Sequence, residues 1–271
     1  MADDDLRDFT AEKLEFSGRT HQVFRSGDGP AVLVLSEVPG ITPAVAGFAR
    51  RLRDVGLSVV MPDLFGLAGR DPNPPAHGAL GTAWYEARTA VQLCVSREFT
   101  LLATGRSSPV VSWLRELGAY EHAQCGGPGI GVVGMCVTGG FALSMAVDDR
   151  VLAPVLSQPS LPVAVTPKRR ASIDISDDDL EVVQWRCAAG LEVLGLRFSS
   201  DRFVPDERFA FLRRKLGDAF VAVELDDWAA NPNALIPPHS VLTEHLVDDP
   251  GEPTRNALDT VLEHLRERLL G

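Results

Sequence analysis

The chain repeats one arrangement along most of its length: a short run of nearly unbroken apolar residues, then a polar or glycine-rich break, then a helical pattern. AVLVLS (31–36), LSVVMPD (57–63), GIGVVGM (129–135), LAPVLSQ (152–158), EVLGLRF (192–198) and AFVAVEL (219–225) are the apolar runs. None alternates apolar with polar residues, so each suits a strand buried on both faces. Strands of that kind, separated by helices, predict an α/β fold with a mostly parallel central sheet and helices on both faces. Two helices are legible in detail. ITPAVAGFARRLRDVG places Pro43 in its first turn, Val45, Phe48, Leu52 and Val55 on one stripe, and Gly56 as its stop. A last helix from about Thr254 puts Leu258, Val261, Leu262, Leu265 and Leu269 on one face.

With 271 residues, 45% of them hydrophobic, the chain can bury one large core, and we expect a single domain over 1–271. The Gly- and Pro-rich stretch 66–83 and the helical pattern Trp84 to Ala103 make 66–105 a candidate lid or pocket wall. A net charge of −11 argues against nucleic acid or an anionic membrane as partner. No run approaches 18 apolar residues, so no membrane span is expected. The start, MADDDLRDFT, lacks the apolar core of a secretory leader. Cys94, Cys125, Cys136 and Cys187 form neither a CxxC pair nor a cluster with histidine, and suit reduced thiols without a metal. Together these features predict a cytoplasmic protein; they leave its oligomeric state open.

Residues 131–149, GVVGMCVTGGFALSMAVDD, carry a thiol at the corner between a strand and a helix. A strand that turns sharply into a helix leaves the turn residue exposed above the sheet edge, as the serine of G-x-S-x-G is in α/β-hydrolases. Small residues must surround it, because the two backbones approach closely; Gly134, Gly139 and Gly140 meet that need. The first N–H groups of a helix favour a thiolate. The N–H of Val137 is placed to bind an oxyanion. The competing reading of Cys136 is a buried core cysteine; the coincidence of strand, glycines and helix favours a nucleophile.

GMCVTGG resembles the G-x-C-x-G-G nucleophile motif of the dienelactone hydrolase family, α/β-hydrolases that carry cysteine in place of serine. The resemblance runs from about Ala31 to the C-terminal helix and implies the α/β-hydrolase fold. It departs at Thr138, where the family has glycine, so that the glycine pair is displaced by one residue. A β-branched hydroxyl residue at this tight point either shifts the corner or adds a hydrogen bond.

A thiol nucleophile needs a base, and the base an orienting acid, in the chain order nucleophile, acid, histidine. His21 and His77 precede the corner, His122 lies just before its strand, and His264 reads as a solvated or half-buried helix residue. His239 and His245 remain. His239 follows the last apolar run and a Pro-rich loop, and its PHS resembles the family's histidine segment, so it is the expected base; His245 falls in what reads as the following helical pattern. Asp201, two residues past its strand in SSDRFVPDERF, resembles the family's aspartate segment and is the expected acid. An N-cap is its alternative role, and Asp206 reads as a first-turn helix acid. Glu37, in VLSEVPGI, directly follows the first long apolar strand. The family's glutamate at that place contacts the resting cysteine and helps activate it, so Glu37 joins the candidate catalytic set; a solvated turn residue is the alternative. Val38 is the expected second oxyanion donor, because Pro39 has no N–H. Ser176 before Asp177 to Asp179 reads as a helix N-cap.

The family members that act on muconate-type lactones hold the substrate carboxylate with arginines, one of them shortly after the catalytic histidine. Here Val241, Leu242 and Thr243 occupy that stretch, and Arg202 is the candidate substitute. The expected activity is hydrolysis of a small-molecule ester or lactone through Cys136, His239 and Asp201, without cofactor or metal. A thioesterase or acyltransferase would use the same residues. A hydrolase-like fold serving as a binding module or a redox-sensing thiol is the alternative outside hydrolysis.

Overall fold

The computed structural model describes residues 2–72 and 104–271. The helical pattern at 84–103, His77, Cys94 and nearly all of the candidate lid lie outside them. Eight strands form one sheet: β1 (Thr10–Phe16), β2 (Arg19–Ser26), β3 (Ala31–Leu35), β4 (Ser58–Asp63), β5 (Ile130–Met135), β6 (Val151–Ser157), β7 (Val193–Phe198) and β8 (Phe220–Leu225). Their order is β1-β2-β4-β3-β5-β6-β7-β8. From β4 to β8 every pairing is parallel, whereas β2 is antiparallel to both β1 and β4. All six strands expected from the apolar runs are present, each within one residue of its expected ends.

Successive residues of β3 explain why those runs do not alternate. Val32 and Val34 pack into one apolar cluster and Leu33 and Leu35 into another, on the opposite face. Helix α1 (Pro43–Asp54) covers the first face through Val45, Phe48 and Leu52. Its N-cap is Thr42, whose hydroxyl accepts from the Val45 N–H. The C-terminal helix (Pro253–Leu269) joins it there through Leu258, Val261, Leu265 and Leu269. On the second face lie α2 (Val110–Cys125), α3 (Gly139–Met145), α4 (Asp177–Ala188) and α5 (Asp206–Leu216). Ser176 caps α4 as expected, accepting from the Asp179 N–H at 3.1 Å.

Two features differ from expectation. The β1–β2 hairpin was not legible, because each of its strands buries a single side chain, Leu14 and Val23. Its turn, Ser17-Gly18, takes positive φ at both residues, the conformation that two-residue hairpins prefer. His264 is buried rather than solvated, and burial lowers its pKa.

Candidate functional site

The site sits where β3, β5, β6, β7 and β8 end, the edge of a parallel sheet at which loops from several strands converge. Cys136 directly follows β5 and opens a single 3-10 turn (Cys136–Thr138) that leads into α3. Its φ is 54°, a left-handed conformation rare for a residue with a side chain and found where a fold enforces it. The neighbours that permit the turn are glycines for a measurable reason. A Cβ on Gly134 would stand 2.3 Å from the Thr138 carbonyl oxygen, and one on Gly139 would stand 2.5 Å from Pro159 Cα.

Thr138 answers the question its sequence raises. Its side chain is fully buried, and its hydroxyl accepts from the Met135 N–H at 2.9 Å. The same oxygen lies 2.8 Å from the Leu35 carbonyl and 3.2 Å from that of Ser36, at the end of β3. The threonine therefore adds a hydrogen bond between the corner and the neighbouring strand end.

Asp201 lies in the loop between β7 and α5, and His239 in the loop after β8. The His239 Nδ1 meets Asp201 Oδ2 at 2.6 Å, and both side chains are buried. The remaining oxygen, Oδ1, accepts from the Phe203 N–H at 2.9 Å, which fixes the carboxylate plane. Cys136 is close enough to the imidazole to act on it electrostatically. Burial disfavours a charged imidazole here, but the pull of a negative charge at Cys136 and the hydrogen bond donated to Asp201 outweigh it. The His239 pKa is accordingly held well above the ordinary histidine range. The ring of Phe203 packs edge-on against it, centroids 5.5 Å apart. Asp206 opens α5 and pairs with Arg197, as a first-turn acid.

Glu37 is buried beside this group, but its partners differ from those expected. Oε2 accepts from Ser240 Oγ at 2.6 Å and from Gln158 Nε2 at 3.1 Å, and Oε1 accepts from Thr243 Oγ1. Its hydrogen bonds thus come from the loop that carries His239 and from Gln158 at the end of β6, and none comes from the thiol among the described residues. The cause is local: residues 241–245 form a turn, not the start of a helix, and that turn brings the hydroxyls of Ser240 and Thr243 inward. His245 braces the same turn. Its Nδ1 accepts from the Ser240 N–H and its Nε2 donates to the Ile236 carbonyl, both at 3.1 Å. Burial lowers its pKa, in keeping with a neutral ring.

Val137 and Val38 flank Cys136 and Glu37, and neither N–H donates to another group among the described residues. Arg202 is exposed and forms no ion pair with the described residues; Val241 and Leu242 are buried in the core.

Several residues of the site were missed in the sequence. Ser160 Oγ lies 3.4 Å from Cys136 Sγ. Gln158, fully buried with φ 36°, links Glu37 to the end of β6. Arg208, fully buried, donates to the carbonyls of Pro159, Pro162, Arg169, Ser172 and Phe203. A usable signal existed for two of them. SQPS directly follows a central parallel strand, where such sheets gather their polar groups.

The arrangement joins a thiol, an imidazole whose pKa is raised and a buried carboxylate at one edge of the sheet. No helix among the described residues is long and apolar enough to cross a membrane.

Comparison with solved structures places the fold. A dienelactone hydrolase from Anabaena variabilis superposes with a TM-score of 0.58 at 15% identity, over 96% of this chain and 98% of that one. An α/β-hydrolase from Penicillium sp. sh18 gives 0.58 at 13% identity, over 97% and 99%. A cold-adapted esterase from an Arctic intertidal metagenomic library gives 0.52 at 15%, over 98% of each chain. At these identities the likeness speaks to the fold alone. No curated protein matches the chain by sequence. The family model of dienelactone hydrolases matches residues 19–176, more than half of the chain, and takes in Glu37, Val38, Cys136 and Val137, though not Asp201 or His239. With the eight-stranded sheet and the cysteine corner already in place, that match settles the classification: the chain is an α/β-hydrolase and belongs to the dienelactone hydrolase family.

Proposed function

We propose that the protein hydrolyses an ester or lactone bond of a small molecule through a covalent thioester on Cys136. In this reading the thiolate attacks the substrate carbonyl, and the carbonyl oxygen becomes an oxyanion bound by the N–H groups of Val137 and Val38. The His239 imidazolium then delivers its proton to the departing alkoxide, and the thioester forms. Neutral His239 next takes a proton from water as the water attacks the thioester, and the acid is released with the thiolate restored. Asp201 holds the ring through Nδ1 and stabilises its cationic form. Glu37, bonded to Ser240 and Thr243, positions the turn that carries His239.

The observation that carries the reading is the Asp201–His239 pair, 2.6 Å apart, whose imidazole feels a thiol held at positive φ on a strand-to-helix corner. The absence of an arginine after His239, with Val241 and Leu242 turned into the core, speaks for a substrate other than a muconate-type lactone carboxylate. The test is turnover of short p-nitrophenyl esters and simple lactones, with intact-mass detection of the acyl adduct. Turnover and adduct should both vanish in Cys136→Ala. Equal rates in the two proteins, with no adduct in either, would refute the proposal.

A further inference from the structure

The Cys136 thiol has a second polar neighbour besides His239, and it is built as carefully as the first. Ser160 is buried, and its Oγ stands 3.4 Å from Sγ, its one side-chain hydrogen bond among the described residues. The loop that presents it has little freedom. The Ser160 N–H donates to the Cys136 carbonyl at 2.9 Å, which ties the residue to the corner it faces. Pro159 packs onto Gly139, so closely that a Cβ there would collide with it. The Arg208 guanidinium donates to the carbonyls on either side of Ser160, Pro159 at 2.7 Å and Pro162 at 2.6 Å. Upstream, the Gln158 N–H donates to the Leu196 carbonyl at 2.8 Å. A serine held at both flanks and by its own N–H cannot turn its hydroxyl away by moving the loop.

The direction of the bond follows from proton inventory. In the thiolate that the proposed function requires, the sulfur carries no proton and can only accept. The Ser160 O–H must then be the donor. We propose that Ser160 is a positioning residue for the nucleophile: its hydroxyl donates to the Cys136 thiolate and holds Sγ in place. The two neighbours also divide the work. His239 must pass its proton to the leaving group, whereas Ser160 has no proton to give up and stays. The inference rests on the reading of Cys136 as the working thiol but not on the bond it cleaves.

The test is alkylation of Cys136 by iodoacetamide, followed by peptide mass spectrometry as a function of pH, in wild type, Ser160→Ala and Ser160→Thr. Removing a donor to a charged group should slow Cys136 alkylation about tenfold at pH 6 and move its pH profile up by about one unit in Ser160→Ala. Threonine keeps the hydroxyl and should restore the wild-type profile. Thermal melts of the three proteins separate this effect from loss of fold, since trimming one Oγ leaves the loop's backbone anchors intact. An unchanged profile in a folded Ser160→Ala protein would overturn the proposal, as would a Ser160→Thr protein that folds yet behaves like alanine. If wild type turns over no ester while the alkylation pattern holds, the hydrolytic reading falls and the role of Ser160 stands.

Discussion

Asp174 allows a quantitative test of how burial and charge interact behind the catalytic corner. Its side chain is fully buried, and it packs against Gly140 in the first turn of α3. Oδ2 accepts from Ser108 Oγ at 2.5 Å, while Oδ1 has no hydrogen-bond partner among the described residues. Burial, only partly offset by the bonds from Ser108, pushes the carboxyl from its ordinary 3.8 up to about 7. Between those two values the native state holds a proton that the unfolded chain has released, so stability falls as pH rises through that window. A displacement of roughly three units corresponds to about 4 kcal/mol lost between pH 4 and pH 7, and constant above it. Asp174→Asn keeps the shape, accepts from Ser108 and never ionises. Its amide N–H groups remain without acceptors, at a cost of about 1–3 kcal/mol at every pH. The variant should therefore be less stable than wild type at pH 4.5 and more stable at pH 8, the two curves crossing in between. Urea denaturation at four pH values reads this directly, because every other titrating group is common to both proteins and cancels. Two parallel curves across pH 4.5–8 would refute the reasoning.

Other outcomes are expected on the same grounds. Asp201→Asn should fold normally and lose about a thousandfold in ester turnover, since Nδ1 loses its charged partner; a loss under tenfold would remove Asp201 from the proposed triad. Cys136→Ala should lower the NMR titration midpoint of His239, because the charge that raises it is gone. In wild type, the elevated His239 pKa adds stability that is complete below pH 6.5 and fades as pH rises through the elevated value; that pH dependence should shrink in Cys136→Ala. Arg208→Met would leave buried carbonyls in three chain segments without a donor and should lower unfolding free energy by about 3–5 kcal/mol in urea melts. Glu37→Gln should reduce turnover through the His239 loop while leaving the Cys136 alkylation profile in place; a shifted profile would mean that Glu37 acts on the thiol itself.

The parallel strands were legible because burial on both faces leaves a run such as AVLVLS with no polar position. The thiol corner was legible because only small residues tolerate the approach seen at Gly134 and Gly139. His239 and Asp201 were singled out by chain order, each loop coming after a recognisable strand, together with the resemblance of their segments to those of the family. The hairpin was hidden by its polarity, with Leu14 and Val23 too few to set a pattern. Glu37 was legible as the acid that follows β3, but its partners depend on a turn at 241–245 whose apolar residues, Val241 and Leu242, look helical when read as spacing alone. Arg208 sits in a charged helix, DERFAFLRRKL, and nothing local separates it from its exposed neighbours. Its burial is a property of the loops it holds, which are distant in sequence.

The hydroxyl of Thr138 has a consequence for tuning the reaction. Val137 belongs to the corner and Val38 to the loop after β3, so the two proposed oxyanion donors ride on separate strands that could slide against one another. Thr138 bridges those strands at 2.8–2.9 Å on each side. One side chain, touching neither donor nor substrate, thus gauges the gap between them. A glycine there, the residue the family motif carries, would leave that spacing to the sheet's own hydrogen bonds. Substituting Thr138 by valine or glycine is therefore a way to alter the fit to a tetrahedral carbon without changing a single group that meets it.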